Sequence, residues 1–395
     1  MIRKFVHSAA RSHSFDEAAE AVADLAEVEI SGRQLGRIAH ETGAQLRARR
    51  DERVERFRAG TSRPQVATRP ALAVVEVDGG RLLIRGEGEG PGAHDAAWRE
   101  DKIAILATMS RSTSASDPEP ELPPCFRDRA FVEKVIGGIG GTGPMGPPTP
   151  DASVPPPPPP AGPPQPRTRP ELMVRTYVAT TAPVDRFGPM VAAEAHRRNF
   201  AEAAAGAFLG DGSAWVWGLH RRHLPSFVAI VDFLHALSHL FTAARAMAAD
   251  TEGRWELFLA WEEACWKGRV DQVIAELSAW RDIQSGLIAG GLDELPVEDP
   301  RRVVARVANY LEDNRERMDY PRYRCEGLPW TTSHIESTVK IFNRRVKGTE
   351  KSWNDAGGET ILELRAAFLS EDGRLDRHMK EQPSSPYRNY KTRRT

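Results

Sequence analysis

The chain has 395 residues and a formal net charge of -1; 40% of its residues are hydrophobic and 28% charged. That is enough apolar chain for one large core or two modest ones, and no apolar run reaches the roughly 18 residues that a membrane helix needs. The near-neutral balance excludes recognition of nucleic acid by whole-molecule charge, leaving local basic patches, and the three cysteines, Cys125, Cys265 and Cys325, lie too far apart for a zinc ribbon or a disulfide framework. The opening MIRKFVHSAARSHSF lacks the apolar core of a signal peptide, so the expected address is cytoplasmic.

Apolar residues recur at helical spacing from Ser14 to Val28, and Ser31 opens a second helix, SGRQLGRIAHETG, with Gln34 at the capping-box position. The pair has the outline of a helix-turn-helix that would turn Arg33, Gln34 and Arg37 toward a DNA groove, or of a plain helical hairpin. The arginine-rich stretch QLRARRDERVERFRAGTSRPQVATR then either touches phosphates or forms a solvated helix and linker. The valine-rich run Ala71 to Val77 is expected to be a buried strand ending at Asp78-Gly79-Gly80, which usually makes a hairpin turn. Arg81 to Arg85 would return as a second strand, and Trp98 to Met109 would be a third.

From about Gly137 to Pro170 the periodicity disappears into proline and glycine, which fits a flexible surface insertion. LMVRTYVAT, from Leu172, resumes the fold as a strand, followed by an alanine-rich helix over Arg186 to Ala207. Asp211 comes next, at a strand end within Gly210-Asp211-Gly212-Ser213, where small neighbours let a substrate backbone approach. Phe227 to Val231 is another buried strand and ends in Asp232. His235 and His239 follow at helical spacing but lack the HExxH order, so an Asp232–His235 structural pair is favoured over zinc.

Thr251 to Asp319 is expected to be helical throughout, with Trp255, Trp261, Trp266 and Trp280 as core anchors; such a segment would cover a site or grip a long substrate. EGLPWTTSHIESTVKIFNRRVK, Glu326 to Lys347, is a turn-rich entry into a basic helix with Glu336 near its start and Lys340, Arg344, Arg345 and Lys347 beyond it. That pattern is either an acid that holds a cation beside a face that holds phosphate, or an ordinary solvated helix face. A last helix, Glu359 to Leu369, precedes a basic tail. Asp78, Asp211 and Glu336 together outline a three-carboxylate site for Mg²⁺, with Mn²⁺ as the alternative ion, of the kind that activates phosphodiester chemistry.

The runs LGDGSAWVWGL, IVDFLHALSHL, YRCEGLPWTTSHIESTVKIFNRRVKGTEKSW and LRAAFLSEDGRLDRH resemble the ISKra-type bacterial insertion-sequence transposases, distant relatives of the Mutator-like transposases. The resemblance covers about Ser14 to His378 apart from the proline-rich insertion. It implies an α/β, ribonuclease-H-like (retroviral-integrase-like) core with an α-helical insertion, here preceded by a helical N-terminal region. It also implies an Asp-Asp-Glu triad with Mg²⁺, cleavage at element ends and joining of the 3′-hydroxyl to target DNA.

Matched by motif, the triad is Asp78, Asp211 and Glu336, with Asp232 and His235 in a supporting role; a competing match takes Asp211 and Asp232 as the first two acids. The implied domain map is 1–65 helical, 66–136 first core strands, 137–170 insertion, 171–250 core, 251–320 helical insertion, 321–380 core helices with Glu336, and 381–395 tail. The implied partners are terminal-repeat and target DNA and at least a second copy of the chain, in a bacterial, nucleoid-associated setting. Family members commonly begin with a cysteine-rich zinc-binding segment that this chain lacks, so a truncated, catalytically silent DNA-binding derivative or repressor is the alternative expectation.

Overall fold

The computed structural model describes residues 1–84, 97–139, 169–288, 291–331, 341–342, 346 and 353–381. The chain opens with α1 (Ile2–Arg11), α2 (Phe15–Ala26) and α3 (Gly32–Arg58), which pack on one another through Val6, Ala18, Val22, Leu35 and Ala39. Ser14 caps α2 by accepting from the Glu17 amide, and Ser31 with Gln34 forms the expected capping box. α3 is one helix of 27 residues, merging the second expected helix with most of the arginine-rich stretch.

That stretch is only partly solvated. Arg50 is buried and paired with Glu359 and Glu363 of α12 (Asp355–Leu369), while Arg53 reaches Glu194 of α5 (Val184–Arg197). Glu194 also accepts from Arg197 and from Arg374, at the start of α13 (Arg374–Glu381). The expected phosphate-touching or solvated character therefore fails for Arg50 and Arg53, whose guanidinium groups instead bind α3 to the body of the protein.

The core is a mixed five-stranded sheet: β1 (Leu72–Ile84), β2 (Ala97–Met109), β3 (Leu172–Thr180), β4 (Gly206–Gly210) and β5 (Val228–Val231), in the order β3-β2-β1-β4-β5. β1–β2 and β2–β3 run antiparallel; β1–β4 and β4–β5 run parallel. The Asp78-Gly79-Gly80 turn is not made: β1 runs straight through it, with Asp78, Gly79 and Gly80 opposite Ile103, Lys102 and Asp101. The glycine serves a close approach instead, since a Cβ on Gly80 would lie 2.7 Å from Oδ1 of the buried Asp101. The helix expected to reach Ala207 stops at Arg197, because Asn199 takes the left-handed conformation (φ 61°) and the chain then enters β4.

Helix α6 (Ala214–His223) lies on β4 through Trp217 and Phe208, and α4 (Arg129–Ile139) packs on α7 (Phe233–Met247). α8 (Thr251–Trp266), α9 (Val270–Gly286) and α10 (Pro300–Asn314) form the expected helical segment, and α11 (Tyr320–Cys325) follows. The segment is not helical throughout, since a short turn, Leu292–Glu294, is the helical part described between Gly286 and Pro300. Trp261 and Trp266 are core, as expected, the latter edge-on to Phe233 and Trp330 at 5.2 and 4.9 Å between ring centres. No described helix is long and apolar enough to cross a membrane.

One residue of α8 is buried at a cost. Glu262 is fully buried and neither of its carboxylate oxygens has a hydrogen-bond partner among the described residues; burial pushes it up to about 9 against the weaker pull of Arg127. The folded state thus keeps a proton that the unfolded chain releases above its ordinary value of 4.5, and stability falls as pH rises from there toward 9. Glu262→Gln is expected to flatten that slope, gaining on the order of a few kcal/mol at pH 8 and almost nothing at pH 5. Thermal melts of both proteins at the two pH values check it, and equal slopes would contradict it.

Candidate functional site

Parallel register builds the site. β1 and β4 are matched from Ala73↔Gly206 to Glu76↔Leu209, and β4 and β5 from Ala207↔Val228 to Gly210↔Val231. Continued past the end of β4, the same register sets Asp78, Asp211 and Asp232 in one row across three strands spaced about 4.8 Å apart. Asp78 is thus not at the end of its own strand, as the sequence suggested, but at the level where its parallel neighbours end. β1 continues beyond them only because β2 still pairs with it.

The three carboxylates differ in what they can do. Asp232 is fully buried and caps α7, accepting from the Leu234 amide through Oδ1 and meeting His235 Nδ1 at 2.8 Å through Oδ2. Its fixed geometry is that of the structural Asp–His pair the sequence suggested. Asp211 and Asp78 are half-buried; Oδ1 of Asp211 accepts from the Ser213 amide at 2.9 Å and Oδ1 of Asp78 from the Gly79 amide at 2.7 Å.

The electrostatics couple all four groups. Burial, with Asp211 and Asp232 adding to it and the His235 charge opposing, pushes Asp78 up to about 6. Burial disfavours the His235 charge, but its hydrogen bond to Asp232 and the charges of Asp232, Asp78 and Asp211 outweigh this and raise it to about 9. His235 therefore carries its proton through neutral pH. His239, one turn on, is pushed down to about 4 by burial and by that neighbouring positive charge.

α10 closes one side of the site. Tyr310 Oη donates to the Asp211 carbonyl at 2.9 Å, its ring stacks on His239 at 3.7 Å, and Asn314 Nδ2 donates to the Gly212 carbonyl at 3.4 Å. Neither residue was foreseen. They sit in a helical pattern that gives no local sign of reaching a loop about 100 positions earlier, as their separations of 99 and 102 residues record.

Glu336 and the basic residues Lys340, Arg344, Arg345 and Lys347 lie outside the described residues. Close to them in sequence, Ile341, Phe342 and Val346 are described. Phe342 is buried against Tyr177 at 6.1 Å between ring centres, Arg365 Nη2 donates to the Ile341 carbonyl at 3.1 Å, and Trp353 Nε1 donates to the Val346 carbonyl at 2.9 Å. Tyr177 faces Ile105 and Ile105 faces Glu76, two residues before Asp78, so Phe342 packs on the sheet face that carries Asp78.

Arg33, Gln34 and Arg37 are exposed on the first turns of α3, with the Gln34 side-chain oxygen engaged by the Ser31 amide at 3.2 Å.

The donor set at the row is oxygen-rich and carries more negative than positive charge, the chemistry that Mg²⁺ or Mn²⁺ takes, whereas zinc would want nitrogen and sulfur. Among the described residues no three metal-ligating side chains converge closely enough to form a complete site on their own. The chain matches no protein-family model and no curated protein.

Proposed function

We propose that the chain is a divalent-metal-dependent DNA strand-cleaving and strand-joining enzyme, the transposase of a bacterial insertion sequence, on a ribonuclease-H-like core. The observation that carries this reading is the row Asp78–Asp211 on adjacent parallel strands, with Asp78 held up to about 6 by burial and by its acidic neighbours. A half-buried acid among acids is the arrangement that a bound cation would relieve. The mixed sheet with β1 at its centre, and the packing of Phe342 on the Asp78 face, support the core and the approach of the Glu336 stretch to it.

Asp78 and Asp211 would hold the metal, with Glu336 as the third acid. Mg²⁺ or Mn²⁺ supplies Lewis-acid activation of the attacking oxygen and stabilises charge on the leaving oxygen of a phosphodiester. The protein's own part is orientation: strand register sets the spacing of the two acids, and the Ser213 amide fixes one oxygen of Asp211. His235, protonated at neutral pH and locked to Asp232, places a positive charge among the acids where phosphate charge would enter. Terminal-repeat DNA, target DNA and a second copy of the chain are the partners this reading requires.

The test uses purified protein, Mg²⁺ and labelled duplex carrying the ends of the element that flanks the gene, beside Glu336→Gln. Nicked and joined products are expected from the wild type, lost with a chelator and lost in the variant. DNA that is bound but never cut in Mg²⁺ or Mn²⁺ would sink the enzyme reading and favour a DNA-binding derivative of a transposase.

A further inference from the structure

The loop that carries Asp211 begins where its strand ends. β4 ends at Gly210, and the next glycine, Gly212, sits at φ 96°, a conformation that side chains rarely adopt. Within the loop, the hydrogen bond from the Ser213 amide fixes one carboxylate oxygen. What pins the backbone comes from far away in sequence. Tyr310 Oη donates to the Asp211 carbonyl at 2.9 Å, and Asn314 Nδ2 donates to the Gly212 carbonyl at 3.4 Å and to the Tyr310 carbonyl at 2.9 Å.

Asn314 is itself fixed, since Trp217 Nε1 donates to its Oδ1 at 2.7 Å and the Arg317 guanidinium lies 4.8 Å over the Trp217 ring. The Tyr310 ring stacks on His239 of α7, the helix that begins with Asp232 and His235, and a Cβ on Gly212 would lie 2.5 Å from that ring. One helix thus grips both the Asp211 loop and the helix bearing the Asp232–His235 pair. The grip is polar where it meets the loop and aromatic where it meets α7.

We propose that the helical segment ending in α10 is the positioning element of the acid row, and that Tyr310 and Asn314 hold the Asp211–Gly212 loop in the conformation in which Asp211 receives its divalent cation. This rests on the metal reading given under Proposed function. Tyr310 and Asn314 touch no reacting group; they act on the backbone whose side chain is the ligand. Outer hydrogen bonds of this kind orient metal ligands and typically contribute about 10–100-fold to metal affinity.

The test is a Mn²⁺ titration of the full-length protein, following free Mn²⁺ by electron paramagnetic resonance, with thermal melts in chelator as the control for folding. Tyr310→Phe removes the hydroxyl and keeps the stack on His239. Asn314→Asp keeps the acceptor for Trp217 and removes the donor to Gly212. Each is expected to weaken Mn²⁺ binding about 10-fold, while Arg3→Ala, an exposed residue of α1 paired with Asp376, leaves it unchanged.

Folded Tyr310→Phe and Asn314→Asp proteins that bind Mn²⁺ as tightly as the wild type would overturn the positioning role and leave the metal reading intact. A wild type that binds no Mn²⁺ would remove the metal reading itself and this inference with it. Should Asn314→Asp fail to fold, Tyr310→Phe alone decides.

Discussion

Asp78→Asn is expected to give a protein that melts higher than the wild type at pH 7 and, on the proposed metal-dependent reading, loses DNA cleavage. The stability half follows from the elevation of Asp78 from its ordinary 3.8 to about 6 by burial and by Asp211 and Asp232. The folded state binds a proton that the unfolded chain has already lost, so the ionised carboxylate opposes folding increasingly as pH rises from about 4 to 6 and in full above that. Asparagine fills the same volume without that charge and should gain on the order of 1–3 kcal/mol at pH 7. If Asp78 holds the proposed divalent cation, its loss would remove several kcal/mol of transition-state charge stabilisation, which is about 1000-fold or more in rate. Melting curves with and without Mn²⁺, beside strand cleavage on labelled DNA, check both halves. Higher stability with undiminished cleavage would remove Asp78 from the site, and lower stability would mean that its charge is structural.

Glu194→Gln should behave in the opposite sense, unfolding the protein with no direct effect on the acid row. Glu194 is 3% exposed and receives Arg53 of α3, Arg197 of its own helix and Arg374 of α13. Burial works against its charge, but the three guanidinium groups overcome it and hold the carboxyl well below the usual carboxylate range. Its stabilisation is therefore fully present above the unfolded value of 4.5 and is lost as pH falls through the lower folded one.

Gln at this position keeps the volume and some hydrogen bonds but leaves two or more buried positive charges to Asp372, which accepts from both Arg197 and Arg374, and to the charge of Glu363 beside Arg53. A loss on the order of 3–5 kcal/mol is expected, read as a fall in denaturation midpoint at pH 7 that shrinks toward pH 3. A midpoint within experimental error of the wild type would show that the cluster is screened by water and carries little.

The comparison of Asp78 with Glu194 shows what kind of information each position holds. Both are carboxylates surrounded by charge, and composition does not separate them. Asp78 stands out in the sequence because it closes a valine-rich run expected to be a buried strand, a signal contained in eight consecutive residues, and the structure keeps it at the level of the acid row while running the strand on past it. Glu194 reads in the sequence as one polar residue in an alanine-rich helix, because two of its three partners, Arg53 and Arg374, stand 141 and 180 residues away.

What the sequence determined by itself is whatever is written within a few residues of chain. The Ser31–Gln34 capping box, the strand at Leu172–Thr180, the helical run through α8 to α10 and the Asp232–His235 pair at (i, i+3) all depend on near neighbours and were legible before any fold was known. Only the tertiary structure decided that Asp78, Asp211 and Asp232 share one row, that Arg50 is spent on Glu359 and Glu363 over 300 residues away, and that Tyr310 reaches back to Asp211. Strand register and long-range polar contacts are set by the packing of whole faces against one another. No single stretch of the chain contains both partners of such a contact, so no single stretch can announce it.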